Sequence, residues 1–348
     1  MRNSGNQSLA FATSCDLNYL PQALVLAESI KKIYPKSKFL LGLNERSVEL
    51  GPAIAKVYNV FDFVFSGTDL DQNFNELDSR YGVIELCCST KPALLLHASN
   101  RKFNQIIYLD PDTYLLEKLD EVHTALESGT TDAVLTPHLT KLGNIEMEIS
   151  SMKHGVFNLG FLAINNTKKS REFLEWWRTR LEFLSIRDHD RGIFTDQTWA
   201  ALITGVIPTR ILNTPGYNFA TWNLGDYPVM RKNGSYFVGG SKLVFLHFSS
   251  FAADGISAYL RKNSLKVSDS YMAIYNEYGN KVHDASKKLH PFLTLATRKS
   301  LYKNSPVDTR TKIQSMFKGK IVEVLANLSP RTLEYLLRIR DKRRNAKA

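Results

Sequence analysis

Residues 106–112 read Ile106-Ile107-Tyr108-Leu109-Asp110-Pro111-Asp112, four largely apolar residues running into two carboxylates separated by a proline. A short apolar run that ends in turn residues is a buried strand. In an open α/β sheet, ligands sit just past the carboxyl ends of such strands. The same alternation extends on either side. Leu9-Ala10-Phe11-Ala12-Thr13 reads as a first strand, followed by turn residues Asp16 and Asn18. Ala23 to Tyr34 carries Leu24, Ala27, Ile30 and Lys31 at helical spacing, with Pro35 as a stop. Phe39 to Leu43 and Val60 to Phe65 are further strands, and Lys91 to Ser99 is a helix with Pro92 in its first turn. Beyond residue 130 come a strand at Asp132–Thr136, a largely apolar run over Phe157–Asn165, and a helix at Ser170–Phe183. Gly- and Asn-rich loops around 213–240 then lead to a last buried strand at Leu243–Phe248. The rhythm predicts the α/β class, a mixed, mainly parallel sheet with helices on both faces. After about residue 256 the pattern turns helical, polar and basic. The reading is therefore a domain over 1–260 and a basic helical C-terminal extension over 261–348.

The chain has 348 residues, 43% hydrophobic and 23% charged, which excludes collagenous, mucin-like and wholly disordered classes. Its longest apolar runs, such as Leu94-Leu95-Leu96, are far too short to span a bilayer, and no secretory-leader pattern opens the sequence. Cys15, Cys87 and Cys88 form neither a disulfide framework nor a zinc spacing, which suits a reducing compartment. A cytoplasmic protein is expected. The net charge is +11, yet residues 281–348 hold 17 Lys/Arg against 5 Asp/Glu, leaving −1 for residues 1–280. A basic tail on a near-neutral body points to an anionic partner surface.

Side chains two apart on an extended segment point the same way, so Asp110 and Asp112 would repel unless a cation lay between them. A hard divalent ion, Mg2+ or Mn2+, takes oxygen ligands and keeps open positions for a diphosphate. The competing reading is a solvated turn after a strand. His247, inside Leu243-Val244-Phe245-Leu246-His247-Phe248, is either a hydrogen-bonded core residue or a third ligand of that cation. Asp196-Gln197 falls at a helix start, where Thr195 or Asp196 could serve as the N-cap; otherwise the pair could bind sugar hydroxyls beside a developing positive charge. Asn158 and Gly160 combine an amide with a position that lets backbone approach closely, or form a strand-end bulge. Lys91 could neutralise a phosphate, although most exposed lysines do not. Trp176-Trp177 reads as packing, because neighbouring residues on a helix point to different sides.

Taken in order over about residues 9–255, these pieces resemble the GT-A fold (Rossmann-like) glycosyltransferases, family-8-like enzymes of the bacterial surface-polysaccharide type. Ala12-Thr13-Ser14-Cys15-Asp16-Leu17-Asn18-Tyr19 resembles that family's nucleotide-binding first strand, and Tyr108-Leu109-Asp110-Pro111-Asp112 its Asp-x-Asp motif. Phe157-Asn158-Leu159-Gly160 and Asp196-Gln197 resemble its sugar-binding loops, and His247 its third metal ligand. Two departures stand out. No Lys follows His247 at the family's His-x-x-Gly-x-x-Lys spacing, and Leu17 stands where an acidic residue is common.

The resemblance implies transfer of a sugar from a nucleotide-sugar donor, with a UDP-sugar favoured, to a glycan or lipid-linked glycan acceptor in surface polysaccharide synthesis, with retention at the anomeric carbon. It assigns Thr13, Asp16, Asn18, Lys91, Asp110 and Asn158 to the donor, Asp110, Asp112 and His247 to Mn2+ or Mg2+, and Gln197 and Asp196 to the reacting face. A nucleotidyltransferase is the alternative enzyme, though no Gly-rich loop followed by Arg and Lys lies near the first strand. A non-catalytic sugar-nucleotide-binding scaffold is the other. Thr332 to Arg340 carries Leu333, Leu336, Leu337 and Ile339 beside Arg338 and Arg340, followed by Lys342-Arg343-Arg344. Such a segment suits peripheral docking on anionic lipid at the cytoplasmic membrane face; a solvated helix, a disordered end or a subunit interface are the alternatives. Aromatics are not interleaved with the basic cluster, so no nucleic-acid partner is expected.

Overall fold

The first strand, β1 (Leu9–Cys15), is buried along almost its whole length because both faces of its sheet are covered. The computed structural model describes residues 8–249, 251, 256, 260–261 and 265–296. After β1 the chain forms α1 (Leu20–Ile33), β2 (Lys38–Leu43), α2 (Leu50–Val57), β3 (Phe63–Ser66), α3 (Phe74–Arg80), α4 (Val83–Asn100), β4 (Gln105–Leu109) and β5 (Thr113–Leu115). It continues through α5 (Asp120–Glu127), β6 (Ala133–Pro137), α6 (Ile145–His154), β7 (Phe157–Asn165) and α7 (Lys168–Leu184). Next come β8 (Arg187–Asp188), β9 (Ile193–Phe194), α8 (Gln197–Ala200), β10 (Thr209–Ile211) and β11 (Phe219–Ala220). The antiparallel β12 (Met230–Lys232), β13 (Ser235–Val238) and β14 (Ser241–Lys242) precede β15 (Phe245–His247) and α9 (Asp269–Leu293).

The main sheet runs in the order β10-β6-β7-β4-β1-β2-β3. All its neighbours pair in parallel except β7, which is antiparallel to both β4 and β6. Alternation along the strands feeds two cores. Phe11, Leu41 and Ile107 pack with Leu24 and Ile30 of α1, and Ala12, Leu40 and Ile106 pack with Leu94 of α4 and Trp177 of α7. The expected mixed, mainly parallel sheet with helices on both faces is therefore the architecture.

One sequence expectation changes. The helix read as starting at Lys91 is α4, which begins at Val83, so Lys91 and Pro92 lie in its middle. Pro92 removes one backbone donor, normally costly in a helix interior. Here burial of Leu86, Leu94 and Leu95 on either side carries the helix through. Within 261–348, Asp269–Leu293 form α9, which packs on the body. Tyr271, Ile274, Tyr278, Val282, Ala285 and Leu289 recur at helical spacing along α9 and are buried in the same core as α1. Thr332–Arg340 and Lys342–Arg344 lie outside the described residues. Among the described residues, no helix is long and apolar enough to cross a membrane.

A second sheet, β11-β15-β5, carries the chain's late residues back to the end of β4. β15 pairs antiparallel with β5 so that His247 lies opposite Thr113.

Candidate active site

The main and second sheets meet at Asp110-Pro111-Asp112. This segment is not extended, as the two-residue spacing suggested, but a tight turn. Thr113 closes it by donating its N–H and its hydroxyl to the Asp110 carbonyl, at 3.1 and 2.8 Å. The β4–β7 ladder holds one end, with Asp110 N donating to Gly160 O at 2.9 Å. The β5–β15 register holds the other, with Phe248 N donating to Asp112 O at 2.8 Å. That register sets His247 beside the acidic pair, its Nε2 lying 3.1 Å from Asp112 Oδ1 and 3.9 Å from Asp110 Oδ2. One ligand atom from each of the three residues falls within 4.8 Å of the others. Two carboxylates and an imidazole form a donor set suited to a divalent cation of mixed oxygen and nitrogen preference. Burial pulls the His247 pKa down, but Asp112, with Asp110 behind it, outweighs burial and the shift is upward. Gly160 makes the approach possible. A Cβ there would lie 2.4 Å from His247 Cε1 and 2.7 Å from Asn158 Oδ1.

Lys91 is buried at the centre of the acidic cluster. Its Nζ is 2.9 Å from Asp196 Oδ2 and 3.1 Å from Asp110 Oδ1, and it donates to Leu159 O at 3.3 Å. Burial alone would lower its pKa; the carboxylates of Asp110 and Asp196 reverse this and hold it well above the ordinary lysine range. Tyr108, beneath the ammonium, donates its hydroxyl to Asp110 Oδ1 at 2.8 Å. Asp110 thus has one oxygen fixed by Tyr108 and Lys91 and the other turned toward His247. Formally, Asp110, Asp112 and Asp196 against Lys91 leave two negative charges, a balance that favours a doubly charged ion.

Asp196 occupies the N-cap position of α8, yet its side chain makes no cap hydrogen bond. It accepts from the Thr195 hydroxyl at 3.0 Å and pairs with Lys91 instead. Gln197 is pinned at both ends, with Oε1 accepting from Leu159 N at 2.9 Å and Nε2 donating to the His154 carbonyl. At the end of β1, Asp16 accepts from Tyr19 N at 3.2 Å and from the Asn18 amide at 2.6 Å.

Asp16, Asn18, Lys91, Asp110, Asp112, Asn158, Asp196, Gln197 and His247 all line one open cleft of about 320 Å³. Thr13 is not among its lining residues: it is fully buried within β1, while the adjacent Ser14 lines the cleft. Asn158 reaches the wall with its amide already engaged. Its Oδ1 accepts from Gly160 N and from Asn218 Nδ2, each at 3.0 Å, and its Nδ2 faces His138 Nε2 at 3.1 Å. Trp177 is core, as read, and also donates its indole N–H to Asp196 O at 3.2 Å.

Several contributors had not been singled out from sequence. Tyr108 could have been, since it lies two residues before Asp110. His138 lies just after β6 and Asn218 just before β11, and neither residue type at a strand end points by itself to the contacts made here. Cys15, Cys87 and Cys88 all line the cleft, and burial, as the main cause, raises each thiol well above its usual pKa.

No family model matches the chain. It is 30% identical over 174 residues to the uncharacterized protein YfnD of Bacillus subtilis (strain 168), a match covering 48% of this chain and 54% of YfnD. It is 25% identical over 255 residues to the uncharacterized protein YfnF of the same organism, covering 70% of this chain and 81% of YfnF. The chain thus spans about half of the first relative's length and most of the second's. Among solved structures, it is similar to the apo glycosyltransferase GlyE of Streptococcus pneumoniae TIGR4, at 17% identity and a TM-score of 0.46, covering 81% of this chain and 64% of GlyE. It is also similar to the galactosyltransferase LgtC in complex with donor and acceptor sugar analogs, at 12% identity and a TM-score of 0.43, covering 76% of this chain and 99% of LgtC.

Proposed function

We propose that the chain is a metal-dependent glycosyltransferase. It takes a sugar from a nucleoside-diphosphate sugar, UDP-linked by preference, and places it on a glycan or lipid-linked glycan acceptor in surface polysaccharide synthesis, with retention at the anomeric carbon. One observation carries the reading: Asp110, Asp112 and His247, brought from separate stretches of the chain, converge within 4.8 Å of one another on the wall of an open cleft. Manganese or magnesium bound there would supply positive charge to the leaving diphosphate. Asp16 and Asn18, at the end of β1, would read base and ribose. Lys91 holds Asp110 in its ligating orientation and presents a fixed positive charge to the donor. Asp196 and Gln197 form the polar wall beside the anomeric carbon, and the two bonds that pin Gln197 keep that wall rigid. The acceptor hydroxyl gives its proton to an oxygen of the departing diphosphate, so no further protein base is required. The segment 331–348 brings the body to an anionic membrane surface.

The test is a panel of nucleotide sugars with manganese, scored for slow donor hydrolysis in the absence of acceptor. The expected result is one donor consumed, with UDP raising the Tm only when manganese is present. Full turnover by Asp112→Ala would overturn the metal assignment, and an inverted anomer in fresh product, seen by proton NMR, would overturn retention. Liposome sedimentation that is insensitive to salt and to loss of residues 331–348 would remove the membrane role.

A further inference from the structure

A chain of buried polar side chains stands behind His247, and two backbone groups fix the direction of every bond in it. The Gly160 N–H can only donate, so the Asn158 atom 3.0 Å away is the amide oxygen. The Gly155 carbonyl can only accept, so His138 Nδ1, 2.6 Å away, carries a proton. Burial, as the largest cause, lowers the His138 pKa to about 4, so the ring is neutral and its Nε2 accepts from Asn158 Nδ2. Asn218 Nδ2 lies 3.0 Å from Asn158 Oδ1 and 2.9 Å from Thr136 Oγ1. That orientation turns Asn218 Oδ1 toward His247 Nδ1, 3.1 Å away. Nothing else in this sequence of contacts can supply the proton, so His247 Nδ1 must donate it. Nε2 is then the ring nitrogen directed at Asp112.

Asn218 is buried, with 2% of its surface exposed, and its backbone sits at φ +55°, a left-handed conformation uncommon outside glycine. A strained backbone holding a fully hydrogen-bonded side chain against a ligand-bearing histidine is the kind of arrangement found at functional sites. We infer that Asn218 is a positioning residue for the metal centre: it accepts the His247 Nδ1 proton and so directs Nε2 at Asp110 and Asp112, where it would ligate a bound cation, while Asn158 and His138 hold Asn218. Histidine ligands are commonly oriented in this way by a hydrogen bond at the other ring nitrogen. The inference rests on the proposed metal site, but the proton on Nδ1 can be read in the metal-free protein.

The test compares Asn218→Gly, which suits the backbone angle and removes the acceptor, with Asn218→Asp, which keeps an acceptor facing His247. Histidine-selective isotope labelling with long-range nitrogen–proton correlation spectra reads, without metal, whether His247 Nδ1 carries a proton. Manganese affinity is read by electron paramagnetic resonance. The expected outcome is a proton on Nδ1 in wild type and Asn218→Asp, and a reduced Nδ1–H population in Asn218→Gly with about 10- to 100-fold weaker manganese binding. An Asn218→Gly protein with wild-type Nδ1 protonation and wild-type manganese affinity would overturn the inference, as would an unprotonated Nδ1 in the wild type. Failure of the wild type to bind manganese would instead strike the proposed function, with the Nδ1 comparison still deciding the role of Asn218.

Discussion

Gly160→Ala isolates the metal centre with a single methyl group. The added Cβ would lie 2.4 Å from His247 Cε1, 2.7 Å from His247 Nδ1 and 2.7 Å from Asn158 Oδ1. Carbon atoms in contact sit about 3.5–4.0 Å apart, so the imidazole must retreat by roughly 1 Å or more. It cannot rotate freely, because Asn218 Oδ1 holds Nδ1 and the Trp222 ring meets the imidazole edge to face at a centroid distance of 5.4 Å. Retreat carries Nε2 away from its present 3.1 Å from Asp112. Metal–ligand distances tolerate only about ±0.2 Å, so a displacement of that size removes one of the three protein ligands. Overpacking should cost about 1–3 kcal/mol of stability. Manganese affinity should fall by at least the roughly 10- to 100-fold associated with disturbing a ligand's support. Stability loss alone does not imitate this result if Gly42→Ala serves as control, because its Cβ would meet only the tips of Leu70 and Leu94, at 3.2 Å. Manganese titration by electron paramagnetic resonance, with Tm measured in parallel, reads both effects. A Gly160→Ala protein that binds manganese within twofold of wild type would refute the geometry claimed for His247.

Lys91→Met removes the ammonium between Asp110 and Asp196. Chemical denaturation without metal should show a loss of about 3–5 kcal/mol, since it leaves buried carboxylates without their partner, and manganese should restore more stability to the variant than to wild type. His138 gives a pH signature. Its folded-state pKa of about 4 lies below the 6.5 of an ordinary histidine, so as pH falls the unfolded chain takes up the proton first. This contribution is complete above pH 6.5 and is lost as pH falls toward 4, by up to about 3 kcal/mol at roughly 1.4 kcal/mol per unit. His138→Gln should flatten that part of the stability-versus-pH curve, and an unchanged curve would count against a buried neutral ring. A chain ending at residue 260 should fail to give a cooperative thermal transition, because it loses α9 and the Tyr278 ring stacked 4.1 Å from Phe248, next to His247. A sharp transition near the wild-type Tm would separate α9 from the folding unit.

The sheet was legible because its signal is local. Apolar runs such as Leu9–Thr13 and Ile106–Leu109, each followed by polar turn residues, mark buried strands whatever they pair with. Their alternation with helical periodicity limits the order of layers. The start of α4 was hidden for a physical reason. Pro92 is a strong local punctuator, but the helix passes through it because the side chains around it are buried in tertiary packing. In the same way, Asp196 looks like a helix cap by position, whereas its carboxylate forms an ion pair with a lysine on another helix.

The site was legible in its residue types and only partly in its geometry. Asp110 and Asp112 announce themselves, yet they face one point because Thr113 closes a turn between them. His247 reaches that point through the register of β5 with β15, a pairing across about 130 residues that no short window contains. A shift of one residue in that pairing would turn the imidazole to the opposite face of the strand and leave the two aspartates without a nitrogen partner. Asn218 is further removed still, since its role exists only once His247 has arrived. Asn158 and Gly160 were visible in sequence as an amide beside a position of close approach. What no sequence shows is the distance at which these residues and Asn218 meet each other and the ring.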